Sequence, residues 1–137
     1  RMNPSDGRVI INLLSQALDK KSLTIYGDGK QSRSFCFVDD LVDGICRYGA
    51  TNLTEPVNLG NDREFTILQL AETIQKSSKN TNKKIEFSPM PKDDPKQRRP
   101  DLTKAKKLLA PWEPKVPLEK GLENLMVWLK EEKLGKS

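Results

Sequence analysis

In the stretch Thr24-Ile25-Tyr26-Gly27-Asp28-Gly29-Lys30-Gln31-Ser32-Arg33-Ser34-Phe35, a β-forming run meets a glycine-flanked turn and then an arginine. Thr24, Ile25 and Tyr26 favour an extended strand. Gly27-Asp28-Gly29 supplies a turn in which positive φ is tolerated and the backbone can come close to a ligand. Arg33, at the mouth of the next strand, is able to grip a diphosphate through two parallel N–H···O bonds. The same residues also read as a hairpin with a surface arginine beside it, and local pattern alone leaves both readings open.

Several other chemistries are excluded by what the chain lacks. It has no histidine, which removes the Ser-His and Cys-His nucleophile arrangements. Its two cysteines, Cys36 and Cys46, fall in apolar settings on a strand pattern and a helix pattern and read as buried free thiols. They form neither a zinc spacing nor a Cys-x-x-Cys redox pair, so no metal site is expected. A nicotinamide-dependent dehydrogenase needs a glycine-rich turn opening a helix and a helical tyrosine with a lysine four residues on. Tyr26 has Lys30 at that spacing, but glycines intervene and make the segment a turn; Tyr48 has no such lysine. No catalytic residue is expected in this chain.

The elements that must position Arg33 follow from periodicity. Val9, Ile10, Leu13, Leu14, Ala17 and Leu18 predict an amphipathic helix from 8 to about 20. After the strand and turn at 23–33, alternation of Phe35 and Phe37 predicts a short strand. Val38, Leu41, Val42, Ile45 and Cys46 predict a second helix, with Asp39 and Asp40 at its positive end. Residues 55–61 read as a strand ending in a loop. Thr66-Ile67-Leu68-Gln69 has capping-box spacing ahead of a third helix burying Ile67, Leu70, Ala71 and Ile74. Residues 77–84 are polar and read as a loop, and Ile85-Glu86-Phe87 offers another strand. Residues 88–100 hold four prolines among charged groups and read as an unpaired linker or lid. Asp101 is placed to cap a helix carrying Leu102, Ala105, Leu108 and Leu109. A last helix, from near Pro117, buries Leu118, Leu122, Leu125, Met126 and Leu129.

The chain of 137 residues fits one α/β domain, and its 35% hydrophobic content suffices for a modest core. Its net charge of +5 is concentrated in residues 76–137. Nucleic-acid binding is not expected, because aromatics make up only 6% and do not interleave with the lysines as a stacking platform requires. No apolar run approaches the roughly 20 residues of a membrane span, and no signal-peptide pattern is visible. The expected location is the cytoplasm, although Arg1 rather than methionine opens the sequence.

Asp6-Gly7-Arg8-Val9, Gln16-Ala17-Leu18, the block around Arg33, 37-Phe-Val-Asp-Asp-Leu-Val-Asp-Gly-44 and Val57-Asn58-Leu59-Gly60-Asn61 occur in that order. Asp94-Pro95, Arg98-Arg99-Pro100-Asp101, Lys104-Ala105-Lys106 and Trp112-Glu113-Pro114 follow. Together these resemble the C-terminal part of the extended short-chain dehydrogenase/reductases that act on nucleotide sugars, and within them the UDP-glucuronate decarboxylases. The resemblance covers almost the whole chain. It implies that residues 1–137 form the substrate-binding part of an NAD(P)-binding Rossmann-like fold whose dinucleotide-binding part is absent. It also implies that the edge at Val57–Gly60 would lack its partner strands.

The site residues are carried over from that resemblance. Arg8 and Val9 match a basic-apolar pair bordering the nucleotide. Thr24, Ile25 and Tyr26 match the strand flanking the base. Arg33 matches the diphosphate arginine, and Arg98 one that reaches the sugar. Each has a plainer reading: Val9 and Ile25 as core, Tyr26 as a strand aromatic, Arg98 as a loop cation near Asp93 or Asp94. The implied substrate is a nucleotide sugar, UDP-glucuronate before others. The implied complete enzyme is a homodimer using NAD, which this chain alone does not bind. NAD there oxidises the sugar C4 hydroxyl, the β-keto acid loses carbon dioxide, and the returned hydride gives UDP-xylose. The alternatives are part of a dTDP-glucose 4,6-dehydratase or epimerase, or a non-catalytic basic binding module. One departure stands out: Leu109-Ala110-Pro111-Trp112 replaces the usual Leu-Gly-Trp, which puts the local helix end in doubt.

Overall fold

The computed structural model describes residues 7–78, 82, 84–90 and 97–134. Helix α1 (Val9–Leu18) is followed by strand β1 (Leu23–Tyr26) and strand β2 (Ser32–Ser34), then by helix α2 (Val38–Gly49). Strand β3 (Glu64–Thr66) runs directly into helix α3 (Ile67–Ser78). Strands β4 (Ile85–Ser88) and β5 (Gln97–Arg98) precede helices α4 (Thr103–Leu108) and α5 (Leu118–Leu134).

The strands form two small sheets. β1 and β4 pair in parallel with Ile25 opposite Phe87. The second sheet has the order β3-β2-β5, with β2 antiparallel to β3 and parallel to β5. Helices α1, α3 and α5 pack against one another, α1 and α3 also against β1. Their shared core holds Leu13, Leu14, Leu23, Ile25, Leu70, Ile74 and Leu129. A second cluster, Ala105, Leu109 and Trp112, gathers Tyr48, Leu53, Val57 and Leu59 around it.

Local chemistry explains the helix ends. α1 stops in a Schellman arrangement: the Lys21 N–H donates to Gln16 O at 2.9 Å and the Lys20 N–H to Ala17 O at 3.2 Å, with Lys20 at φ 55°. At the start of α3 the capping box forms in both directions. The Gln69 N–H donates to Thr66 Oγ1 at 3.1 Å, and the Thr66 N–H to Gln69 Oε1 at 2.8 Å. The next donors, Ile67 and Leu68 N–H, reach Gln31 O and Gly29 O, so the turn after β1 also caps α3. Gly27 and Gly29 hold that turn at φ 76° and 74°. Asp40 Oδ2 accepts the Lys115 and Val116 N–H groups, and its carbonyl accepts Trp112 Nε1 at 2.9 Å, which fastens the segment before α5 to α2. Trp112 lies so close to Gly44 that a Cβ there would stand 2.9 Å from the indole.

Several expectations are corrected. The strand falls at Ser32–Ser34, not at Phe35 and Phe37; those phenylalanines alternate because Phe35 packs on the main core while Phe37 lies against Gly121. Residues 55–61 form no strand, since no described strand runs alongside to pair with them; Val57 and Leu59 pack on the second cluster, and the next strand is at Glu64. The proline-rich segment does pair, through Gln97 and Arg98 with Ser32 and Arg33. Cys46 is exposed rather than buried, and Cys36 is half-buried; both thiols are free. The expected polar loop starts later, because α3 runs to Ser78, and residues 79–81 and 83 of it lie outside the described residues, as do Asp93 and Asp94. The altered helix end at Leu109–Trp112 is accommodated: α4 stops at Leu108, and the Trp112 N–H returns to Leu109 O at 2.9 Å with the indole buried.

Candidate functional site

The register of the second sheet brings two arginines together. Arg33 on β2 lies directly opposite Arg98 on β5, and in a parallel pair opposed residues present their side chains to the same face. Arg8, the residue before α1, joins them, and so does Arg99. Together with Val9, Ile10, Ser34, Phe35, Gln97 and Pro100 they line one open cavity of about 720 Å³. No acidic side chain lines it among the described residues.

Three features make this cavity suited to an anion. Four arginines line one space, and a ligand with two phosphates would bring it the negative charge and the acceptors that match their N–H donors. α1 also opens towards the cavity at Val9 and Ile10. Its first turn holds no acidic residue and its N-cap Arg8 makes no side-chain cap, so among the described residues of that turn no carboxylate offsets the positive helix end. Finally, the arginines sit on a built frame: Arg33 Nη1 donates to Ser32 O at 2.7 Å.

Carboxylates surround the frame without lining the cavity. Glu64 accepts from the Ser32 hydroxyl and the Gln97 amide, which hold its carboxyl below the usual range, with Arg99 adding to the effect. Asp62 is lowered chiefly by its 2.7 Å bond from Lys106, and Asp101 by the Thr103 backbone N–H that it accepts. That 2.9 Å bond closes a turn just ahead of α4; the N-cap itself is Leu102, not the expected Asp101.

Not every residue expected at the site gathers there. Arg8, Val9, Arg33 and Arg98 do. Thr24, Ile25 and Tyr26 do not line the cavity. Thr24 is tied to Gln16, its N–H donating to Oε1 at 2.9 Å and its Oγ1 accepting from Nε2 at 3.2 Å. Ile25 has no exposed surface at all, so its side chain has nothing to offer a ligand. Tyr26 is 48% exposed at the far end of β1. Conversely Arg99, Gln97 and Ile10 were not singled out as contacts. The Arg98-Arg99-Pro100 run was the available signal for Arg99; Gln97 carried none.

Adjoining the cationic cavity, and sharing Ile10 and Phe35 with it, is an apolar cavity of about 270 Å³ lined by Phe37, Leu118, Leu122, Leu125 and Trp128. Cys36 borders it. Burial pushes its thiol up to about 11, with Asp40 contributing, so it is protonated and unreactive at neutral pH.

Two sequence features that resemble dinucleotide-site motifs do not have the geometry of one. The Gly27–Gly29 turn joins two strands instead of opening a helix at its own end, and Tyr26 and Lys30 lie on strand and turn rather than on one helix face. Among the described residues no acidic and sulfur ligands cluster as a metal would require. No described helix is long and apolar enough to cross a membrane.

Fold and sequence together point to one class: the chain is a homologue of the NAD-dependent epimerase/dehydratase enzymes, and its fold matches part of the extended short-chain dehydrogenase/reductase structures. Residues 1–60 match the NAD dependent epimerase/dehydratase family. Among individual proteins the chain is 55% identical over 122 residues to UDP-glucuronic acid decarboxylase 4 of Arabidopsis thaliana, a match covering 89% of this chain and 27% of that protein. It therefore spans little more than a quarter of that relative's length. In structure it resembles UDP-glucose 4-epimerase of Thermotoga maritima with UDP-glucose, at TM-score 0.89 and 28% identity over 96% of this chain and 42% of that one. It equally resembles UDP-glucuronic acid 4-epimerase of Bacillus cereus in complex with UDP-glucuronic acid and NAD, at TM-score 0.87 and 31% identity, with the same coverage of both.

Proposed function

We propose that this chain is the nucleotide-sugar-binding part of an NAD-dependent UDP-glucuronate decarboxylase, with the ligand's diphosphate held in the cavity of Arg8, Arg33, Arg98 and Arg99. The observation that carries the reading is the alignment of Arg33 and Arg98 on adjacent strands of one cavity. The 55% identity to a decarboxylase supports UDP-glucuronate as the sugar nucleotide. Arg33 and Arg98 grip the phosphates, the α1 N-terminus adds its dipole, and Arg8 closes one side. The remaining arginine donors give the glucuronate carboxylate a partner that a neutral sugar lacks. In this reading NAD and the proton-transferring groups belong to protein outside this chain, the complete enzyme is a homodimer in the cytoplasm, and the 137 residues alone bind without catalysing.

The similarity to a UDP-glucuronic acid 4-epimerase favours one second reading, an epimerase part that uses the same sugar nucleotide. Calorimetric titration of the chain with UDP-glucuronate, UDP-glucose and dTDP-glucose, alongside Arg33→Ala, tests the site. UDP-glucuronate should bind preferentially, and Arg33→Ala should weaken it by roughly tenfold or more, the loss of a charge-assisted contact. Equal affinity for all three ligands, or no effect of Arg33→Ala, would remove the reading.

A further inference from the structure

One carboxylate outside the cavity touches every strand that builds it. Glu64 lies on β3 opposite Ser34 of β2. Its Oε1 accepts the Ser32 hydroxyl at 2.7 Å and the Gln97 side-chain amide at 2.7 Å, and Oε2 accepts the same amide at 2.9 Å. Arg99 Nη1 stands 3.8 Å from Oε2. A single side chain thus cross-links β3, β2 and β5.

β5 depends on such a link. It is two residues long, and among the described residues it forms the edge of its sheet and keeps its register with β2 through Ser32–Gln97 and Arg33–Arg98. Two residues further on, Pro100 has no N–H with which to extend the ladder. So short a ladder gains from side-chain bonds in keeping Arg98 opposite Arg33, and among the described residues Gln97 supplies them to Glu64.

Charge alone suggests the opposite role. A carboxylate next to a cavity lined by arginines should compete with an incoming anion for them and weaken its binding. The short bonds of Glu64 go instead to neutral partners, Ser32 and Gln97, while Arg99 is only an ion-pair neighbour. We propose that Glu64 is a positioning residue of the anion site, pinning β5 onto β2 and so keeping Arg98 opposite Arg33 to receive a diphosphate. This rests on the diphosphate reading of the cavity, and the test separates the two.

The variants are Glu64→Ala and Glu64→Gln, each checked for native circular dichroism. The glutamine retains an oxygen able to accept from both Ser32 and Gln97 but removes the charge. Two quantities are measured on the chain: hydrogen–deuterium exchange of the segment containing Gln97 and Arg98, and calorimetric affinity for pyrophosphate and UDP. In Glu64→Ala the exchange should speed up about tenfold and both affinities fall about tenfold, the worth of one charge-assisted hydrogen bond. Glu64→Gln should stay within about threefold of the parent on both. Unchanged exchange in Glu64→Ala overturns the positioning role whatever the affinities. Tighter pyrophosphate binding by either variant also overturns it, because the carboxylate would then be acting as a competitor. A parent chain that binds neither ligand removes the diphosphate reading, and the exchange result then decides the anchoring of β5 by itself.

Discussion

Ile25 and Tyr26 are neighbours on one strand with opposite surroundings, and the alternation of a strand is the cause. Ile25 points into the helical core and Tyr26 points out of it. Ile25→Ala should therefore destabilise the chain by about 2–5 kcal/mol, while Tyr26→Ala should cost less than about 1 kcal/mol, as urea unfolding will show. Comparable losses at both positions would mean that Tyr26 is covered in solution. Arg33 and Arg98 were legible in the sequence as separate cations on separate loops. Their opposition was not, because a pairing of two polar residues with a distant polar strand leaves no apolar pattern to read. Arg99 was passed over for a related reason. In a regular strand it would face away from Arg98, but β5 ends at Arg98 and Arg99 is free of that alternation.

The helices were legible because each carries its own instructions. α1 and α5 are written in apolar spacing, and α3 in the Thr66–Gln69 capping box that forms as expected. The strands of two or three residues were not, since their pairing is decided by partners far away in the chain, and Phe35 and Phe37 offered a more regular alternation than the true strand beside them. The C-terminal end of α1 gives a prediction of its own kind. Lys20 occupies the left-handed conformation that the Schellman arrangement requires, where a side chain is unfavourable and glycine is not. Lys20→Gly should raise stability by roughly 0.5–1 kcal/mol, visible as a higher thermal midpoint. A lowered midpoint would show that the Lys20 side chain contributes more than its backbone costs.

For the molecule as a whole, acid and base should act through different groups. Asp62, Glu64, Glu86 and Asp101 all ionise more readily in the fold than their ordinary values of 3.8 for aspartate and 4.5 for glutamate. Their contribution is complete above those values and is lost as the pH falls through the lowered ones, because the unfolded chain then binds more protons. Cys36 runs the other way: the unfolded thiol ionises from 9.0 while the folded one holds its proton to about 11, so stability declines across that interval. Urea midpoints should be level near neutrality and fall below about pH 4.5, and Cys36→Ala should flatten part of the alkaline decline. An unaltered alkaline limb in that variant would count against a contribution from the half-buried thiol. The sheet order has a consequence in time. The arginines of the cavity come from residues 8, 33, 98 and 99, and β5 joins β2 across 64 intervening positions. Closure of so long a loop comes late and slowly in folding. The cavity is thus absent from any nascent chain still short of Gln97, and a phosphate-bearing ligand added during refolding is captured at this cavity only after β5 has docked on β2, so that binding reports the arrival of that strand.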